Sequence, residues 1–190
     1  MTAGDGGADR SAVVGRFARL QSRLVDALAR WRVPLGFIVG ALVFWLAQPT
    51  ARTLVVGTAI AAGGECLRVW ASGHLNKARD VTASGPYRWL AHPLYVGSSI
   101  MGVGLAVIAD HLMVTGLIGF YLIATLSAAI GSEEAFLRGA FGDRYDRYRR
   151  GENAGEPGRR FSVAQAVANR EYRALAGLII AVFLLALKAS

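Results

Sequence analysis

The chain has 190 residues, 54% of them apolar, a formal net charge of +8 and a single cysteine. Apolar residues on this scale, gathered in blocks, exclude an ordinary water-soluble domain, and the lone Cys66 excludes an intrachain disulfide framework or a cysteine-built metal site. The basic excess tracks membrane orientation and contact with anionic lipid, so nucleic-acid binding is not needed to explain it.

Residues 1–9 are rich in Gly, Ala and Asp and read as a disordered tail. Then Val13, Val14, Phe17, Leu20, Leu24, Leu28 and Trp31 recur at helical spacing, with Arg16, Arg19, Arg23 and Arg30 between them. That pattern predicts an amphipathic helix, lying on the inner leaflet or packed under the cytoplasmic loops. No cleaved signal peptide is expected, because 32 residues with six arginines precede the first apolar block.

Five apolar blocks follow, over 33–47, 53–71, 94–109, 112–130 and 174–187. A helix needs about 20 residues to cross the hydrocarbon core, so the second and fourth are comfortable spans, and the others need their flanks or a locally thinned bilayer. Gln48-Pro49-Thr50 and Asp110-His111 are too short to separate anything but antiparallel neighbours, which predicts two helical hairpins. The expected fold is thus all-α: an integral-membrane bundle of about five transmembrane helices built around two hairpins, with the amphipathic helix before it. We divide it into 1–32, the first hairpin 33–71, a core over 72–160, and a C-terminal helix with its cap over 161–190.

Eighteen of the 21 basic residues fall in 1–32, 72–93 and 131–173. By the positive-inside rule these segments are cytoplasmic, as is the N-terminus, and the C-terminus is outside. Polar chemistry is concentrated on the same side. Glu65 and Arg68 share one face of the second span, where they can pair with each other or line a polar cavity. Gly85-Pro86-Tyr87-Arg88-Trp89-Leu90-Ala91-His92-Pro93 cannot continue a helix, so its backbone, phenol and imidazole are free either to hold a ligand or to anchor at the headgroups. Adjacent Glu133 and Glu134 point in different directions, so one can face a ligand while Glu134 meets Arg138 four residues on. Tyr145 and Tyr148 share a helix face amid arginines, as an interfacial belt or as a cover over a site. The run 151–160 reads as a flexible loop, and Ser162 with Gln165 as a capping box. Gly102 and Gly104 read as small residues for helix contact. His74, His92 and His111 lack ligand spacing, so no metal is expected.

In their order these motifs resemble the isoprenylcysteine carboxyl methyltransferase family, with the phospholipid methyltransferases as more distant relatives. The residues concerned are Leu67 to Ala71, Gly73 to Lys77, Ser84 to Tyr87, His92 to Gly97, Glu133-Glu134, Phe141-Gly142 and Tyr145 to Tyr148. The resemblance implies an S-adenosylmethionine-dependent membrane methyltransferase with its cofactor on the cytoplasmic side. It implies cofactor contacts from Lys77, Val81, Thr82, Tyr87, His92 and Glu133, and a site completed by Gly85, Pro86, Tyr95 and Glu134. The chain departs from the family at Ala91 and at Ala129-Ile130-Gly131, where arginines are usual. The acceptor is expected to be amphiphilic or lipid-like, entering sideways between spans. If it ends in a carboxylate, Arg68 or Arg88 is the natural cationic partner, and an ionised nucleophile needs no base. An NADPH-dependent membrane reductase of the sterol-reductase type and a non-enzymatic membrane scaffold are the alternative readings.

Overall fold

The computed structural model describes residues 34–75, 82, 84–152 and 160–189. The tail and amphipathic helix expected over 1–32 lie outside the described residues. Among the described residues the fold is all-α, with no strand. Its elements are α1 (Pro34–Leu46), α2 (Ala51–His74), a 3-10 turn (Gly85–Arg88), α3 (Pro93–Ala109), α4 (Leu112–Phe141), α5 (Asp143–Arg149), α6 (Val163–Ala168) and α7 (Tyr172–Ala189).

Three of these, α2, α4 and α7, are long and apolar enough to cross a membrane. Helices α1 and α3 are apolar but shorter. The last block is longer than its apolar run predicts, because the helix starts at Tyr172, within the basic stretch. Helix α4 runs 30 residues, about 45 Å, so it continues well past the apolar block and carries Glu133 and Glu134 beyond it. Large exposed side chains such as Phe37, Phe120 and Phe183 suit lipid-facing positions.

Short turns join α1 to α2 and α3 to α4, as expected. Thr50 and Thr53 cap α2 reciprocally: the Thr53 N–H donates to Thr50 Oγ1 at 3.2 Å, and the Thr50 N–H to Thr53 Oγ1 at 2.9 Å. Asp110 ends α3 in the left-handed conformation and leads directly into α4. The end of the bundle that carries both turns is knitted by polar contacts to helix carbonyls. The Gln48 N–H donates to Ala109 O at 2.7 Å, while Lys188 Nζ donates to Phe44 O and Trp45 O, each at 2.7 Å, covering orphan carbonyls of α1. Beneath these lies a dry cluster of Val43, Ala47, Ile108, Ala109, Val114, Ile118 and Leu185.

The α2–α3 seam is the tightest among the described helices. A Cβ on Gly104 would fall 2.5 Å from Ala61 N and 2.6 Å from Gly57 O, and one on Gly64 would fall 2.6 Å from Gly97 O. Where lipid removes the hydrophobic drive between helices, such backbone-to-backbone approach is what holds them. Gly102 looks the other way, toward Leu122 and Ile118 of α4. The two glycines therefore serve different partners within one chain.

Candidate functional site

The C-terminal end of α2 is where the site begins. Its last carbonyls are taken up by α6 and its flanks: the Ser162 N–H donates to Gly73 O at 3.2 Å, Gln165 Nε2 to Leu75 O at 3.0 Å, and Asn169 Nδ2 to Ser72 O at 2.8 Å and Leu75 O at 2.9 Å. The expected capping box is thus half formed. Ser162 Oγ accepts from the Gln165 N–H at 3.3 Å, but the Gln165 side chain is drawn to α2 instead of back to Ser162.

The 3-10 turn is seated on His74. Gly85 has φ +58°, and a Cβ there would lie 2.7 Å from the His74 ring, so glycine is required on both counts. His74 is buried, its Nδ1 2.9 Å from Trp70 O and its ring near Phe161. The turn buries Pro86 and Tyr87 and turns Arg88 out into solvent.

His92 stands just before Pro93 at the start of α3, its ring stacked on Tyr95 with centroids 5.6 Å apart. Both carboxylates of α4 reach this one imidazole: Glu133 Oε2 lies 3.7 Å from Nδ1, and Glu134 Oε1 lies 3.5 Å from Nε2. Hydrogen bonding to Glu133 holds the His92 pKa above its usual value, with Glu134 adding to it and burial opposing. The expected Glu134–Arg138 pair is not what forms. Helix α5 folds back along α4, bringing Arg149 onto Glu134, while Arg138 Nε pairs with Asp146 at 3.3 Å.

Helix α5 also covers the turn. Tyr145 is buried, its ring 6.3 Å from that of Tyr148, and the Tyr148 hydroxyl donates to Tyr87 O at 2.8 Å. Burial pushes the Tyr148 phenol up to about 12 and raises those of Tyr87 and Tyr145. All three are therefore neutral donors at physiological pH.

Together these elements bound a cavity of about 810 Å³. Tyr87, His92, Tyr95, Glu133, Tyr145 and Tyr148 line one part, so residues from before and after the α3–α4 hairpin share one hollow. Thr82 lines it as well, whereas Glu134 stands behind His92, and Gly85 lies against His74. Lys77 and Val81 lie outside the described residues. Leu94 of α3 and Leu122 and Leu126 of α4 add apolar lining, with Ser98, Tyr121 and Thr125 of the same helices.

The two arginines singled out from sequence part company. Arg88 is exposed and outside the lining, whereas Arg68 is in it. Arg68 does pair with Glu65, Nε to Oε2 at 3.4 Å, but its nearer partner is Glu171, which accepts from both Nε and Nη2 at 2.7 Å, and Ser98 accepts from Nη1. Glu171, with Asn169, Arg170 and Arg173 beside it, completes the wall from the α6–α7 junction. The cavity is therefore not confined to 72–160. Sequence reading missed this group because the segment passes as one more basic juxtamembrane stretch. Its signal is the acidic Glu171, set among basic residues immediately before an apolar helix.

Comparison with known proteins bears on the same region. The chain is 30% identical over 122 residues to the cobalt-zinc-cadmium resistance protein CzcN of Cupriavidus metallidurans, covering 58% of this chain and 55% of that protein. It is 34% identical over 82 residues to the protein-S-isoprenylcysteine O-methyltransferase of Schizosaccharomyces pombe, covering 43% and 35% respectively. It is 25% identical over 130 residues to the nickel-cobalt-cadmium resistance protein NccN of Alcaligenes xylosoxydans xylosoxydans, covering 63% and 59%. The chain thus spans between 35% and 59% of the length of these relatives. No solved structure matches it. Residues 35–144, which run from α1 through the carboxylate pair to the start of α5, match the phospholipid methyltransferase family, and the chain belongs to that family.

Proposed function

We propose that the protein is an integral-membrane, S-adenosylmethionine-dependent methyltransferase that modifies an amphiphilic, lipid-like acceptor at the cytoplasmic face. The observation that carries this is the meeting of Tyr87, His92 and Glu133 in one cavity, from two stretches separated in sequence by the α3–α4 hairpin. Family membership supports the reaction class, and so does the resemblance to the fission-yeast O-methyltransferase. The cytoplasmic placement rests on the basic residues of the loops.

The donor set fits such a ligand. About 810 Å³ is room for a nucleoside-sized molecule with an acceptor head beside it. When bound, the donor supplies an electrophilic methyl group on a sulfonium. Glu133 is the carboxylate suited to ribose hydroxyls, and the faces of Tyr87 and Tyr95 suit a sulfonium cation. Lys77 is the candidate partner for the donor's carboxylate. His92, held between Glu133 and Glu134, orients Glu133, while α5 and its Tyr148–Tyr87 bond exclude water from above. An ionised acceptor needs no general base, so the work of these side chains is binding, alignment and desolvation.

Isothermal titration of the detergent-purified protein with S-adenosylhomocysteine tests this reading. The wild type binds, and Tyr87→Ala and Glu133→Ala each weaken binding by about 10- to 100-fold, the loss of a charge-assisted or buried contact. Absence of binding by correctly folded protein overturns the proposal, and binding of NADPH in its place would favour a reductase.

A further inference from the structure

The methyltransferase reading leaves part of the 3-10 turn without work. Tyr87 is buried and lines the cavity, but Arg88 and Trp89, the next two residues, are outside the lining, and Trp89 is 72% exposed. So large an apolar surface beside an exposed cation calls for a covering.

Trp89 does not stand alone. Its ring lies 6.1 Å from that of Trp70, Trp70 lies 6.3 Å from His74, and His74 lies 6.0 Å from Phe161. The four rings form one row drawn from three separate stretches: the turn, the last turns of α2, and the segment before α6. Gly73 makes room for Phe161, whose ring a Cβ at that position would meet at 2.3 Å. His74 is buried, while Trp70 and Phe161 stay 40% and 43% exposed, so three of the four rings lack a full cover. An exposed arginine precedes the ring at each end of the row, Arg88 before Trp89 and Arg160 before Phe161. None of these residues lines the cavity.

The place of the row in the fold selects what covers it. Trp70 belongs to α2, a helix long and apolar enough to cross a membrane, and lies near its C-terminal end. Exposed tryptophan beside arginine at the end of such a helix is the composition of the headgroup layer, where the ring rests among headgroups and the guanidinium takes a phosphate. A soluble acidic partner would need the row to stand clear of the bilayer, which a position on a spanning helix opposes.

We infer that Trp89, Trp70 and Phe161, with Arg88 and Arg160, form a binding surface for anionic phospholipid headgroups, separate from the cavity. The rings hold the turn and the segment before α6 at the membrane surface, and the two cations make that surface selective for anionic lipid. Arg160 and Phe161 lie outside residues 35–144, so the family match does not supply them.

Fluorescence quenching in phosphatidylcholine nanodiscs tests this. A minor fraction of the lipid, either phosphatidylglycerol or phosphatidylcholine, carries bromine on the acyl carbons nearest the headgroup, and the signal is the part of the tryptophan emission that Trp89→Phe removes. In the wild type, brominated phosphatidylglycerol quenches as strongly as a several-fold larger fraction of brominated phosphatidylcholine, since each cation near the surface enriches anionic lipid by about fivefold. Arg88→Gln and Arg160→Gln each lower that excess, and together they abolish it. Arg52→Gln, at an exposed position on the opposite end of α2, leaves it unchanged. Equal quenching by the two lipids, an excess that survives in the double variant, or one that falls as far in Arg52→Gln overturns the inference. So does Trp89 emission that neither lipid quenches and aqueous acrylamide does, which would give the surface to a soluble partner. The readout needs no methyl donor, so failure of S-adenosylhomocysteine to bind and failure of the lipid preference are separate results.

Discussion

Helix α3 packs by opposite rules on its two sides. Toward α2 it presents Gly97 and Gly104, and the backbones close until not even a methyl group fits between them. Toward α4 its neighbours are long side chains such as Leu122, and side chains of both helices line the cavity. One side fixes the position of α3 and the other leaves room for a ligand. A rigid seam behind an open gap keeps His92, at the start of the same helix, in a fixed place while the gap is filled or emptied.

Arg68 stands where the seam gives way to the cavity. Its stem runs over Gly97, whose Cβ would lie 2.5 Å from Arg68 Cγ, and its guanidinium ties α2 to Ser98 and Glu171. Glu65 and Glu171 are both buried, so removing this cation leaves two carboxylates facing each other without compensation. Arg68→Ala therefore has the largest effect expected here, a loss of about 3–5 kcal/mol in detergent unfolding, and Glu171→Gln added to it restores part. If Arg68→Ala leaves the melting temperature unchanged and affects ligand binding alone, the seam does not depend on this junction.

Next is the seam itself. Gly104→Ala places a methyl group against two backbone atoms, which cannot yield as a side chain end would, and is expected to cost about 1–3 kcal/mol. Gly102→Ala meets a Leu122 methyl at 2.3 Å, a flexible end that can swing aside, and costs less. A larger loss for Gly102→Ala would reverse the contrast between the two sides of α3.

The legibility of these regions in the sequence follows from how local their determinants are. The helices and the short turns between them could be read because apolar runs and short polar turns are local signals. The pairing of Glu65 with Arg68 could be read because one turn of helix brings them together. Arg149 displacing Arg138 at Glu134 could not, since it depends on α5 folding back along α4. Glu171 lies 103 residues from Arg68, and nothing in the spacing of either announces the other. Tyr87, His92 and Glu133 were connected from sequence through a family resemblance and not by periodicity, which cannot bring a loop and a helix end together.

The cover over the open side is held by less. The Tyr148 hydroxyl bond to Tyr87 O is a single neutral contact at 2.8 Å, so Tyr148→Phe costs about 1 kcal/mol and loosens α5 without removing its aromatic packing. S-adenosylhomocysteine affinity falls several-fold at most, and proteolysis after α4 becomes faster. An effect as large as that of Glu133→Ala would make Tyr148 itself a ligand contact.

The smallest expected effect is in pH dependence. His92 has its pKa raised above 6.5 in the folded protein, chiefly by Glu133 and then by Glu134. A group raised in this way contributes stability that is fully present below its unfolded pKa and fades as pH rises through the folded one. The melting temperature therefore declines slightly as pH is raised through that window, and His92→Gln removes the His92 share of the decline while keeping a polar side chain at the start of α3. Arg149 competes with His92 for Glu134 Oε1, so Arg149→Gln moves the transition to higher pH. A transition unmoved in Arg149→Gln, followed by imidazole chemical shift, would mean that Glu133 alone sets the charge of His92 and that α5 covers the site without tuning it.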